Sequence, residues 1–137
     1  MNPATPAMRK RILLIDDDKD DAELFVDALQ ETGTDADFNH YNDGIEALAR
    51  LAEPDFRQPD VIFLDINMPV IDGWECLRRI KQVALLKNIP IVMYSTSNLL
   101  EKGVNPADVG ATAFLTKPDS FSELKRKLLE VFGKLFQ

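Results

Sequence analysis

Three short apolar runs, each stopped abruptly by a polar residue, constrain this chain more than anything else in it. Ile12-Leu13-Leu14-Ile15 runs into Asp16, Val61-Ile62-Phe63-Leu64 into Asp65, and Ile91-Val92-Met93-Tyr94 into Ser95. Such runs suit strands covered on both faces, as in a parallel sheet, although periodicity alone does not separate them from buried helix. Two weaker strands are expected at Ala36–Tyr41, which alternates, and at Ala113-Phe114-Leu115.

Helical patterns fill the intervals. Residues 20–31 place Ala22, Phe25 and Leu29 on one stripe, with acids in the first turn where the helix dipole favours them. Residues 45–52 are rich in Ala and Leu, and Trp74, Leu77, Ile80 and Ala84 follow the Asp72-Gly73 turn at helical spacing. The last helix opens with the capping box Ser120-x-x-Glu123 and carries Phe121, Leu124, Leu128, Val131 and Leu135 along one face. Residues 98–109 are expected to form a short or kinked element, since Gly103 and Pro106 both fall inside it. The order is βα repeated five times, which predicts an α/β fold, a doubly wound five-stranded parallel sheet with flanking helices. Residues 1–9 read as a flexible N-terminal leader and 10–137 as one domain with nothing left over for a second.

Composition narrows the function. A chain of 137 residues with 45% hydrophobic content can bury a core of its own. Sixteen Lys and Arg against 23 Asp and Glu give a net charge of −7, which disfavours nucleic acid and anionic membrane surfaces as partners. A lone Cys76 excludes an intramolecular disulfide, and with His40 as the one histidine it excludes a Cys/His zinc site within the chain. Met8-Arg9-Lys10-Arg11 resembles a signal n-region, but four apolar residues cannot make the apolar core of a signal peptide, and no run approaches the ~20 residues of a membrane span. A soluble, cytoplasmic protein is expected.

In an open parallel sheet, ligands bind outside the carboxyl ends of the strands. Those ends carry Asp16-Asp17-Asp18, Asp65, Ser95-Thr96-Ser97 and Lys117-Pro118. Clustered carboxylates repel, so one stays protonated unless a cation joins them. Oxygen ligands without His or Cys select a hard ion, with partly hydrated Mg²⁺ the usual intracellular choice. A carboxylate-held metal beside a Lys and a hydroxyl suits a phosphoryl group, and one carboxylate could then act as nucleophile to give an aspartyl phosphate. Each residue alone has a plainer reading, as helix cap, turn or solvated acid. Four strand ends agreeing is what separates the two.

Taken in order, Ile-Asp-Asp-Asp at 15–18, Leu-Asp-Ile-Asn-Met-Pro at 64–69, Asp72-Gly73, Ser95 after an apolar strand and Lys117-Pro118 resemble the receiver domain of two-component response regulators. The resemblance covers about residues 10–135. The Asp43-Gly44 loop and the segment before Pro59 are similar to small regulators that accompany bacterial phytochromes. The resemblance implies a flavodoxin-like (βα)5 fold, with Asp65 as phosphoacceptor. Asp17 would bind Mg²⁺ directly, Asp16 partly through water, and the Asn67 backbone carbonyl would add a ligand. Lys117 would pair with the phosphoryl group, its bond to Pro118 would be cis, Ser95 would move to a phosphoryl oxygen, and Phe114 stands at the aromatic switch position. Asp18 matches a variable position and is read as a cap or solvated acid.

Some residues depart from the commoner pattern. Phe114 lacks a tyrosine hydroxyl, Thr96 stands where Ala is common, and Gly103 with Pro106 weakens the fourth helix of the signalling face. His40, Cys76 and Trp74 are read as structural or packing residues. The expected function is phosphorelay, with a sensor histidine kinase or histidine phosphotransferase as donor and a downstream protein target, acting as a stand-alone receiver. A second apolar stripe, Leu129, Phe132 and Phe136, hints at a homodimer or simply at a wide core-facing stripe. The competing reading is a Mg-dependent phosphatase with an aspartyl nucleophile. It needs a second acid two residues beyond Asp65, where Asn67 stands. A flavin-binding electron carrier is a third, disfavoured because three aspartates would repel the flavin phosphate.

Overall fold

A computed structural model describes residues 9–136. Strands β1 (Lys10–Ile15), β2 (Ala36–Tyr41), β3 (Val61–Asp65), β4 (Ile91–Ser95) and β5 (Ala113–Thr116) alternate with helices α1 (Lys19–Glu31), α2 (Gly44–Leu51), α3 (Gly73–Gln82), α4 (Pro106–Val109) and α5 (Phe121–Leu135). All strand pairs are parallel, in the order β2-β1-β3-β4-β5. The leader expected over residues 1–9 lies, apart from Arg9, outside the described residues.

The unbroken apolar runs are explained by two cores, one on each face. Ile12, Leu14, Val61, Phe63, Val92 and Tyr94 point to the side covered by α1 and α5, where they meet Phe25, Leu124, Leu128 and Phe132. Leu13, Ile15, Ile62, Leu64, Ile91 and Met93 point the other way, against Ala47, Leu51, Cys76, Leu77 and Ile80 of α2 and α3. Phe25, fully buried, meets Phe63 edge-on at 4.9 Å and Tyr94 at 5.8 Å between ring centroids. Truncating a buried ring of this kind to Ala costs about 3–5 kcal/mol.

The helix starts are set by side-chain caps. Asp18, Asp43, Asp72 and Ser120 each accept a hydrogen bond from the backbone N–H three residues on. Asp18 is therefore a cap, as expected. Several boundaries differ from expectation. The third helix stops at Gln82, leaving Ala84 outside it. Within 98–109 only Pro106–Val109 is helical, with Asn105 as its cap and Pro106 in the first turn, where a missing N–H costs nothing. Gly103 turns the chain before it at φ +83°. On α5, Phe121 is 37% exposed, whereas Phe132 is buried and stands edge-on to Phe63. The second stripe is thus mainly core, and of its three residues only Leu129 is exposed, at 45%.

Candidate functional site

Because the strands are parallel, their carboxyl ends gather at one edge. The register sets Ile15 beside Leu64, Asp65 beside Tyr94, and Ser95 beside Thr116, so Asp16, Asp65, Ser95 and Lys117 all emerge at that edge. Asp16 is anchored on both sides of its peptide unit. Its N–H donates to the Tyr41 carbonyl at 3.1 Å, and its own carbonyl accepts from His40 Nε2 at 2.8 Å. That contact gives His40 the structural role expected of it. The start of α3 is pressed against the acceptor strand, Gly73 N–H donating to Ile66 O at 2.8 Å. A Cβ on Gly73 would stand 2.3 Å from the Asp65 carbonyl oxygen, so glycine is required by close approach.

Asp16, Asp17 and Asp65 each offer a carboxylate oxygen, and these atoms lie within 4.8 Å of one another. Asp16 and Asp65 are buried and Asp17 is exposed, so the cluster opens to solvent on the Asp17 side. Lys117 Nζ reaches in from the end of β5, 3.0 Å from Asp16 Oδ2 and 3.3 Å from Asp65 Oδ1. Its closest carboxylate is a third one, Asp21 Oδ2 at 2.8 Å, in the first turn of α1. Asp21 was not singled out by sequence. It looks like one more solvated acid in a first turn, and only folding shows that it faces the sheet edge.

The electrostatics favour a cation. Burial, then the neighbouring Asp16 charge, push Asp65 up to about 7 from its ordinary 3.8, against the pull of Lys117. Burial raises Asp16 as well, despite the hydrogen bond it accepts from Asp18 N–H at 2.9 Å. Burial works against the charge on Lys117, but Asp21, Asp16 and Asp65 outweigh it and hold the ammonium charged. One ammonium faces several carboxylates, and Asp16 Oδ2, fully shielded, receives no well-directed hydrogen bond. A buried carboxylate oxygen whose cationic neighbour is an ammonium shared among three acids, beside raised carboxylates and an oxygen-only ligand set, fits a hard divalent cation.

The other expected residues fall around this centre. Ser95 is buried, its Oγ accepting from Ser97 N–H at 3.0 Å, and its carbonyl accepts from Lys117 N–H at 2.7 Å. Asn67 is exposed, two residues past Asp65 on the same loop. Thr96 is exposed and Phe114 half-buried, its ring edge-on to Trp74 at 6.4 Å. Phe114 also lines a cavity of about 600 Å³ with Leu100, Leu115 and Lys127. One expectation is corrected. No peptide bond among the described residues is cis, so Lys117–Pro118 is trans. Trans is the lower-energy isomer of an X–Pro bond, and in it the Lys117 ammonium already reaches Asp16, Asp21 and Asp65.

The profile of the response regulator receiver domain matches residues 12–129, most of the chain. The chain belongs to the receiver-domain family. Response regulator Rcp1 of Synechocystis sp. is 33% identical to this receiver over 119 residues, covering 84% of this chain and 81% of that one. Among solved structures, the phosphorylated cyanobacterial phytochrome response regulator RcpA superposes with a TM-score of 0.81 at 32% identity, covering 94% of this chain and 95% of that one. The Mn²⁺-bound form of Rcp1 gives 0.76 at 30%, covering 90% and 92%. The likeness to phytochrome-associated regulators is thereby borne out, and nothing found supports the phosphatase alternative. Receiver domains serve phosphorelay signalling, bind divalent metal, and interact with histidine kinases and downstream targets. Among the described residues, no helix of this receiver is long and apolar enough to cross a membrane.

Proposed function

We propose that Asp65 is the phosphoacceptor of this receiver and that Mg²⁺ is its metal, held by Asp16, Asp17, Asp65 and the backbone carbonyl of Asn67. The observation that carries this reading is the gathering of Asp16, Asp17 and Asp65 carboxylate oxygens within 4.8 Å of one another, with an ammonium 3.3 Å from Asp65. Bound there, the cation would supply charge neutralisation for the equatorial phosphoryl oxygens. Asp65 Oδ attacks phosphorus, the P–N bond to the donor imidazole breaks, and its electron pair leaves with the imidazole nitrogen. Lys117 lends its charge to the phosphoryl oxygens, and Ser95 Oγ–H donates to one of them. Only the ionised Asp65 attacks; burial and Asp16 oppose that form, and Lys117 together with a bound cation would favour it.

The product carries about one to two more negative charges than a carboxyl group. Ser95 is drawn toward it, and Phe114 repacks into the space at the face formed by β5 and α5, changing the surface that a downstream protein meets. The donor is a sensor histidine kinase or histidine phosphotransferase in the cytoplasm, and nucleic acid is not a partner of this acidic surface. The chemistry is confined to the chain's own phosphorylation and dephosphorylation, without turnover of a separate substrate. Phosphate-affinity gels after treatment with acetyl phosphate and Mg²⁺ test the reading. A retarded band lost in Asp65→Asn is expected. A band that persists in that variant overturns the assignment.

A further inference from the structure

We propose that Asp21 is a positioning residue that parks Lys117 in the unphosphorylated protein, so that the phosphoryl group must take the ammonium from it. This rests on the reading of Asp65 as acceptor and adds a residue to it. Among the three carboxylates around Nζ, Asp21 is the closest, at 2.8 Å, against 3.0 Å for Asp16 and 3.3 Å for Asp65. It is also the one that receives a well-formed hydrogen bond; Asp16 Oδ2 has none. Lys117 is therefore near the acceptor but directed at α1.

The geometry has two consequences of opposite sign. While Asp21 holds the ammonium, Asp16 and Asp65 are less neutralised by it, and their oxygens stay available to a cation. The same contact cancels part of the Lys117 charge that the transferring phosphoryl oxygens would use. Asp21 therefore favours metal entry and restrains phosphorylation. Asp21 reaches Lys117 from the first turn of α1, where its backbone N–H is already fixed by the Asp18 cap at 3.0 Å. Its side chain is 35% exposed while that of Lys117 is 9% exposed. Substitution at 21 thus disturbs the ammonium more than the core.

The test compares Asp21→Ala, Asp21→Glu and Asp20→Ala in the full chain. Asp20 is an exposed acid of the same helix turn, so its removal makes the same change in net charge and helix dipole away from the cluster. Two quantities are read: Mg²⁺ affinity of the metal-free protein, and the rate of phosphorylation by acetyl phosphate at saturating Mg²⁺. For Asp21→Ala the affinity should fall and the saturated rate should rise, each by about three- to tenfold, the range for one ordinary hydrogen bond, since the 35% exposure of the Asp21 side chain screens the charge in this one. Asp21→Glu should return both toward wild type, and Asp20→Ala should move neither beyond about twofold. A simply damaged fold would lower both quantities together, and that result overturns the proposal. So does an Asp21→Ala protein that matches Asp20→Ala. If the wild-type protein itself is not labelled at Asp65, the acceptor assignment falls and the role of Asp21 falls with it.

Discussion

Lys117 Nζ and Asp65 Oδ1 stand 3.3 Å apart, with 9% and 5% of their side chains exposed. The pair is nevertheless not a simple ion pair, because burial and Asp16 raise Asp65 to about 7. In the unfolded chain Asp65 ionises at its ordinary 3.8, so between that value and about 7 the folded state binds more protons. The sign follows. This contribution to stability is complete below the ordinary value and is lost as pH rises through the folded one. Asp16 is raised too and acts in the same direction. Glu75, held down to about 2 by Arg78 and Arg79, acts in the opposite direction but only up to its ordinary 4.5. In EDTA, the urea midpoint should fall between about pH 4.5 and about pH 7.5, the window that linkage assigns to these carboxyls. Asp65→Asn should flatten the slope, and Mg²⁺ at the upper pH should restore the midpoint. A metal-free midpoint that climbs over this range, or an unchanged slope in the variant, contradicts the account.

Gly73 separates α3 from the acceptor strand by the absence of a side chain. A Cβ there would meet Asp65 O at 2.3 Å and Ile66 Cα at 2.7 Å, both backbone atoms that cannot swing away. Gly73→Ala should cost about 1–3 kcal/mol in urea denaturation, the range for overpacking, and lower the phosphorylation rate. Gly44→Ala should cost less, since its nearest neighbour is the end of the flexible Ile71 side chain at 2.9 Å. Equal stability losses at the two sites would contradict this distinction.

Trp74 is the one tryptophan in the chain and lies edge-on to Phe114 at 6.4 Å. Its fluorescence therefore reports on the ring assigned to the switch. Beryllofluoride with Mg²⁺ should change the emission, and Ser95→Ala should remove most of that change while leaving the analogue bound. An emission change of full size in both Ser95→Ala and Phe114→Ala would break the proposed route from Ser95 to Phe114.

Val70 holds a φ of +68° and is 89% exposed, on the loop between Asn67 and the Asp72 cap. A β-branched residue in the left-handed region costs about 1–2 kcal/mol, and no burial offsets it here. Val70→Asn should raise the denaturation midpoint, by about 1 kcal/mol in stability. A loss of stability would show that the Val70 side chain has a packing role in this loop.

How far these relationships could be read beforehand depended on where the information lay in the chain. The strands and the two-faced sheet were legible because Ile12–Ile15, Val61–Leu64 and Ile91–Tyr94 end at polar residues without transition, and parallel pairing then brings those ends together. Asp16, Asp17, Asp65 and Lys117 were legible for the same reason. Asp21 was not, because it stands inside a helix and not at a strand end, and its local sequence is that of an acidic first turn. The trans Lys117–Pro118 bond is the isomer the dipeptide favours by itself, and the cis expectation came from the family resemblance. Phe132 shared its helix spacing with Leu129 and Phe136, and only its contact with Phe63 assigns it to the core.

The central claim is that one carboxylate, Asp65, carries the phosphoryl group. Borohydride reduces an aspartyl phosphate to homoserine, so reduction after acetyl phosphate and Mg²⁺ treatment, followed by peptide mass mapping, locates the acceptor directly. Homoserine is expected at position 65, with intact aspartates at 16, 17 and 21. Homoserine at any of those three positions with Asp65 unmodified, or no homoserine in a protein that is demonstrably phosphorylated, would contradict it.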